Sequence, residues 1–314
     1  MERQIVVPLD GSELAEHTLP YAAALARATN SALQLIRVMP PGRSLLAFGE
    51  PALLDPDACR RWEAEETAAA GIYLADITRR LIASGVVTRH QVIVAEDVAA
   101  AIVKHAQEHP QVELIAMATH GRSGVRHFLL GSVAEQVLRR TPVPLLLVRP
   151  TGERVESIVY RTIVVPLDGS SFAERALEPA ERIAAATQAE VLLIAIAPSI
   201  DPIGLAKGEV EPPWRLAEHE PEVACIAAYL QRQVERLRHA GVAARAFTLS
   251  GDPAPTIVQF SVEHAADLIV MATHGRGGLA RLLLGSVANA VLHQARLPIM
   301  LVRPVDQAES FRHS

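Results

Sequence analysis

One stretch of this chain occurs twice almost unchanged. Ala118-Thr-His-Gly-Arg-Ser-Gly, continuing to Leu129-Leu-Gly-Ser-Val-Ala134, returns as Ala272-Thr-His-Gly-Arg-Gly-Gly, continuing to Leu283-Leu-Gly-Ser-Val-Ala288. The duplication makes the chain two copies of one unit. It also marks what the unit cannot change. Segments kept only for packing exchange Leu, Ile and Val freely, because cores tolerate volume-conserving swaps. The retained residues here are glycines, a Thr-His pair, an Arg and a Ser, which belong to functional loops more than to cores.

At 314 residues the chain has room for two domains, each large enough for its own core. The copies are expected at 1–150 and 159–305, joined by the polar stretch Thr151 to Arg161. A formal charge of −5 and a pI near 6.2 leave no electrostatic footprint for nucleic acid. No charged-then-apolar leader precedes Ile5, and no apolar run approaches the ~18 residues of a membrane span. A cytoplasmic protein is expected. Cys59 and Cys225 form no Cys-x-x-Cys pair and read as reduced thiols. The two lysines, Lys104 and Lys207, follow no glycine-rich loop, so Walker-type phosphate binding is excluded.

Each copy opens with a β-branched run and a turn, Ile5-Val-Val-Pro-Leu-Asp-Gly-Ser12 and Ile163-Val-Val-Pro-Leu-Asp-Gly-Ser170, the pattern of a buried strand. A helical pattern containing Leu14, Leu19, Ala22 and Ala23 follows; in copy two, Ser171 and Glu174 are placed as a capping box. The remaining strands are expected at 32–38, 90–94, 113–117 and 144–148, and at 190–196, 244–249, 267–271 and 298–302. Helices are expected at 57–84, 98–108 and from Ser132, and at 222–240, 254–265 and from Ser286. This alternation predicts an α/β fold, a five-stranded parallel sheet per copy with helices on both faces. The long connectors 40–56 and 197–213 are either surface excursions or lids.

Open sheets of this kind bind ligands outside the carboxyl ends of their strands. Two segments with suitable residues emerge there: Asp10-Gly-Ser12 (Asp168 in copy two) after strand one, and the repeated loop after strand four. Gly121 and Gly131 would let backbone N–H groups approach an anion without a Cβ in the way. Ser132 begins a helix, whose N-terminus presents donors at the same place. Gly275, Gly285 and Ser286 repeat the arrangement.

With these residues the chain resembles the universal stress protein family over both copies. Its nucleotide-binding members carry a Gly-x2-Gly-x9-Gly-Ser/Thr motif, and nine residues separate Gly121 from Gly131 and Gly275 from Gly285. The resemblance implies two tandem flavodoxin-like (Rossmann-like) domains with strand order 3-2-1-4-5. It implies ATP as cofactor, with ADP or AMP as further candidates and Mg²⁺ only as the nucleotide carries it. By position, Pro8, Leu9 and Asp10 would border the ribose or adenine, Val38 the adenine, and Met117 and Ala118 the base and ribose. Gly121, Gly131, Ser132 and Val133 would hold the phosphates. The second site would comprise Pro166, Leu167, Asp168, Ile196, Met271, Ala272, Gly275, Gly285, Ser286 and Val287. The resemblance further implies pairing between the domains through their fifth strands, which leaves the chain free to be a monomer or to form a homodimer through its long connectors. An unidentified regulatory protein partner is also expected.

The motif's first glycine is alanine in both copies, Ala118 and Ala272. A positive φ there would cost about 1 kcal/mol or more, whereas an extended backbone would accept the methyl. The shared alanine favours the extended form. Copy two keeps Gly251-Asp252 where copy one has Ala95-Glu96, so copy two is expected to resemble the binding members more. Asp10 and Asp168 could instead cap the turns that follow them. His120 and His274 could be general bases or simply hydrogen-bonded loop residues, and Arg122 and Arg276 could meet phosphate or solvent. No acidic or His/Cys cluster has metal spacing, and no catalytic residue is assigned. The expected role is a regulatory nucleotide binder of stress signalling. A slow ATPase using the same crevice and a nucleotide-free scaffold are the alternatives.

Overall fold

The computed structural model describes residues 2–41, 56–119, 130–150, 155, 157–197, 221–274 and 284–303. Nearly all of connectors 40–56 and 197–213, together with His120, Gly121, Arg122, Gly275 and Arg276, lies outside the described residues. The chain divides into two compact units, Met1–Ile158 and Val159–Ser314.

Unit 1 runs β1 (Gln4–Pro8), α1 (Glu13–Glu16), α2 (Leu19–Thr29), β2 (Ala32–Met39), α3 (Pro56–Ala83), β3 (Thr88–Val94), α4 (Val98–Glu108), β4 (Val112–Ala118), α5 (Ser132–Arg140) and β5 (Leu145–Val148). Unit 2 repeats it as β6 (Thr162–Pro166), α6 (Ser171–Glu174), α7 (Leu177–Thr187), β7 (Glu190–Ala197), α8 (Pro221–His239), β8 (Ala244–Ser250), α9 (Pro253–Glu263), β9 (Leu268–Ala272), α10 (Ser286–Gln294) and β10 (Ile299–Val302).

In unit 1, β1 pairs with β2 and β4, β2 with β3, and β4 with β5, all parallel. Unit 2 pairs β6 with β7 and β9, β7 with β8, and β9 with β10, also parallel. The chain therefore steps outward from the first strand twice, then returns to that strand's other side. Right-handed crossovers place the helices before the return on one face and those after it on the other. The central strands are buried on both faces: Ile5, Val6 and Val7 are at most 1% exposed, and Ile163, Val164 and Val165 are fully buried. That burial explains their unbroken apolar runs.

Two local expectations are corrected. The helix after the first strand is broken in two. Pro20 enters the first turn of α2, and its missing N–H cannot continue the ladder from Glu16. In unit 2 the cap of α6 is Ser170 and not Ser171: Ala173 N–H donates to Ser170 Oγ at 3.1 Å. The capping box drawn between Ser171 and Glu174 does not form, because Ser171 is already helical.

Candidate functional site

The reversal of strand order between β2-β1 and β4 opens a crevice at the carboxyl ends of β1 and β4, and equally of β6 and β9. At β1 the chain leaves through a tight turn. Ser12 N–H and Ser12 Oγ both donate to Asp10 Oδ1, at 2.9 and 2.6 Å, and Ser12 Oγ accepts from Ala15 N–H at 3.2 Å. Unit 2 reproduces it with Ser170 on Asp168 Oδ1, again at 2.9 and 2.6 Å. Gly11 and Gly169 sit at φ 87 and 79, the left-handed region that favours glycine. Asp-Gly-Ser is thus a three-residue device: the aspartate ties the turn, the glycine bends it and the serine caps the helix. Oδ1 of each aspartate is committed to this turn.

The other residues placed by sequence at this end divide by burial. Leu9 and Leu167 are 3% exposed and belong to the core. Val38 and Ile196, by contrast, are half-buried between buried neighbours on β2 and β7. Pro8 and Pro166 are half-buried strand ends.

Across the crevice, Ala118 and Ala272 are the last residues of β4 and β9. They are paired in register with Val148 and Val302, and neither has a positive φ. The backbone at the motif's first position is extended, so a methyl there carries no strain. Met117 and Met271 precede them and are 7% and 5% exposed. The chain re-enters its helix under tight control: Gly131 N–H donates to Thr119 O, and Gly285 N–H to Thr273 O, each at 2.7 Å.

These bonds change the part that the glycines play. Their N–H groups are turned onto the strand end instead of outward. Gly131 and Gly285 have ordinary extended torsions, φ −63 and −59 with ψ 151. A Cβ on Gly285 would lie 3.1 Å from Thr273 O, so close packing is what requires glycine there. Neither glycine supplies a side-chain cap. Ser132 and Val133, and Ser286 and Val287, begin α5 and α10, where backbone N–H groups have no partner within the helix. Ser132 and Ser286 are exposed. His274 Nδ1 shares a hydrogen bond with its neighbour's hydroxyl, Thr273 Oγ1, at 3.0 Å.

Sequence reading missed a second layer behind the first turn. The Tyr73 hydroxyl donates to Glu16 Oε1 at 3.0 Å, Arg80 lies 3.7 Å from Glu16, and the Arg37 guanidinium stands 5.3 Å from the Tyr73 ring centroid. Burial, then the negative charges of Glu16 and Asp10, push the Tyr73 hydroxyl well above its usual pKa, against the opposing charge of Arg37. In unit 2 burial pushes Tyr229 up likewise, with Glu174 and Asp168 adding to it and Arg232 opposing. Both hydroxyls stay neutral. Tyr73 and Tyr229 stand at the same distance before the third strand of their unit, a repeat that could have revealed them among only four tyrosines. Among the described residues no group of three or more His, Cys, Asp and Glu could hold a metal ion.

Gly251 also has a backbone reason. It lies at φ +132, where side chains are strained, while Ala95 at the corresponding place has no positive φ. The two units follow different local paths after their third strands.

Comparison with known proteins agrees with the duplication. The model of the universal stress protein family matches residues 1–149 and again 159–303. A universal stress protein of Mycobacterium tuberculosis is 29% identical over 193 residues, which span 62% of this chain and 62% of that protein. A second protein of that name and organism is 26% identical over 319 residues, 97% of this chain and 96% of its own length. A universal stress protein from Archaeoglobus fulgidus superposes with a TM-score of 0.70 at 21% identity, covering 96% of this chain and 98% of that structure. No helix among the described residues is long and apolar enough to cross a membrane. With a family match that accounts for both halves, the chain belongs to the universal stress protein family and carries two of its domains in tandem.

Proposed function

We propose that each unit holds an adenine nucleotide, ATP foremost, at the carboxyl ends of its first and fourth strands. The chain then acts in the cytoplasm as a regulatory binder and not as an enzyme. The observation that carries this reading is the pair of uncapped helix starts, Ser132-Val133 and Ser286-Val287, each pinned beside the switch point by a glycine bonded to the strand end. A helix N-terminus with unpaired N–H groups favours negative charge at this place.

The residues present fit a nucleotide. Ser132 and Val133 would donate backbone N–H groups to phosphate, and the exposed Ser132 hydroxyl would add a third donor. Val38 offers the half-buried apolar surface that a base needs, and Ala118 lets a sugar lie flat on the strand end. Asp10 stands where a ribose hydroxyl would meet it, with Oδ1 already held by Ser12. Ser286, Val287, Ile196, Ala272 and Asp168 have the same parts in unit 2. Gly121 and Gly275, which lie outside the described residues, are the remaining glycines that the proposal assigns to phosphate. ATP would supply a triphosphate whose charge is partly balanced by the Mg²⁺ it carries. In unit 2 the hydrogen bond between His274 and its own neighbour supports a structural histidine over a general base.

Chromatography of small molecules released from denatured protein tests this directly, together with the melting temperature in added ATP. A ligand at a hundredfold its dissociation constant stabilises by about 2.7 kcal/mol, a shift easily measured. Adenine nucleotide in the released fraction or a rise with ATP is expected. Neither a released nucleotide nor any shift with ATP, ADP or AMP at millimolar concentration would leave the scaffold reading.

A further inference from the structure

The two units differ most informatively away from the nucleotide crevice, between their third strand and the helix after it. In unit 2 three rings fill this space. Phe260 stacks on His264 at 3.8 Å between centroids, and Phe247 stands edge-on to both, at 5.0 and 5.4 Å. Unit 1 keeps the stacked pair as His105 and His109, at 4.2 Å and nearly the same interplanar angle, 25° against 21°. In each unit the histidine that ends the pair bonds through Nδ1 to the carbonyl four residues earlier.

The third ring is missing from unit 1. Phe247 pairs in register with Ile194, and the residue paired with the corresponding Ile36 is Gln91. Where the phenyl ring would stand there is a cleft of about 790 Å³, lined by Gln91, Ile93, His105 and His109, a volume within the usual range for small-molecule sites. Two cations, Lys104 and Arg140, join its wall together with the carboxylates they pair with, Glu108 and Asp97. Unit 2 has Gln259 and Gln294 at the helix positions of the two cations. Missing ring and added positive charge thus occur together, in one unit only.

Two further details favour a ligand over a packing defect. His105 is 6% exposed and its Nε2 has no hydrogen-bond partner, a cost that a phenylalanine, as in unit 2, would avoid. The cations are only loosely engaged. Lys104 lies 3.7 Å from Glu108 and Arg140 3.5 Å from Asp97, exposed pairs that a ligand carboxylate can replace at little cost.

We infer that the cleft between β3 and α4 of unit 1 binds a small aromatic carboxylic acid. Its ring stands edge-on to His105 and His109, where Phe247 stands in unit 2, and its carboxylate lies toward Lys104 and Arg140. Edge-to-face contact supplies the ring's orientation, and the charge-assisted bonds to the cations supply selectivity for an acid.

Calorimetric titration of the full chain with benzoate, benzyl alcohol and ATP tests the assignment. One equivalent of benzoate is expected to bind in the millimolar range, with benzyl alcohol clearly weaker and saturating ATP without effect. Gln91→Phe, which restores the ring of unit 2, should abolish binding. Lys104→Gln with Arg140→Gln, exposed positions that take the residues of unit 2, should weaken it about tenfold. The inference is overturned by absent benzoate binding, by binding that survives Gln91→Phe or the double substitution, by equal affinity for benzyl alcohol, or by displacement with ATP.

Discussion

The backbone N–H of Gly285 is bonded to the carbonyl of Thr273 at 2.7 Å, and Gly131 makes the same bond to Thr119. Each bond fastens the start of a helix to the end of the strand that precedes it. It fixes where the first-turn amides point, which a flexible glycine loop alone would not do. The proposed phosphate donors are those of the next residues, Ser132 and Val133 in one unit and Ser286 and Val287 in the other.

Ser132→Asp with Ser286→Asp separates phosphate binding from folding. An acidic side chain in the first turn of a helix favours the fold by about 0.3–1 kcal/mol. The same charge repels phosphate. The melting temperature without ligand should hold or rise, while the rise caused by ATP disappears. An undiminished ATP shift in this variant would remove the helix starts from the site.

Restoring the motif's first glycine should not help. Ala118 and Ala272 lie in strands with extended torsions. Ala118→Gly and Ala272→Gly should each cost about 0.5–1 kcal/mol in urea unfolding, through greater freedom of the unfolded chain. ATP affinity should stay within about threefold, under 1 kcal/mol. A gain of tenfold or more would mean that the methyl obstructs the nucleotide.

Ala265 offers a stabilising change. It follows α9 at φ 48, and Ala266 N–H closes the helix end on Ser261 O at 2.8 Å. This is the position at which helices favour glycine. Ala265→Gly should relieve the Cβ strain and stabilise by about 1 kcal/mol, read as a higher urea midpoint at unchanged slope. A lower midpoint would contradict it.

Acid sensitivity should arise partly at His105. Burial first, and the neighbouring His109 second, hold its pKa below 6.5, against the opposing charge of Glu108. The unfolded chain then takes up a proton near pH 6.5 that the folded chain refuses. This contribution to stability is present above pH 6.5 and is lost as pH falls from there toward the folded-state pKa. His105→Phe, the residue of unit 2, should flatten the decline in stability between neutral and mildly acid pH. An identical pH profile in the variant would exclude His105 as its source.

Much of this was legible in the residues themselves. The runs Ile5-Val-Val and Ile163-Val-Val announce strands buried on both faces, and the duplicated loop divides the chain. Asp10-Gly-Ser12 could be located but not fully interpreted, because the same aspartate suits a ligand or a turn until distances show Oδ1 on Ser12. Pro20 was visible, yet its break in the first helix was obscured by the apolar spacing that continues across it. Tyr73 and Glu16 meet only through folding, being 57 residues apart.

The sequence by itself determined the duplicated α/β plan, since strand and helix periods and the repeated motif are local and survive without neighbours. It also placed glycine and serine at both helix starts. Only the tertiary structure decided what those residues do. A glycine's purpose depends on the atom its N–H reaches and on what would meet a Cβ, and for Gly285 both are Thr273. The missing ring at Gln91 was likewise invisible along the chain. It emerged as a cleft only when the fold set β3 beside α4 and offered Phe247 of the other unit as its measure.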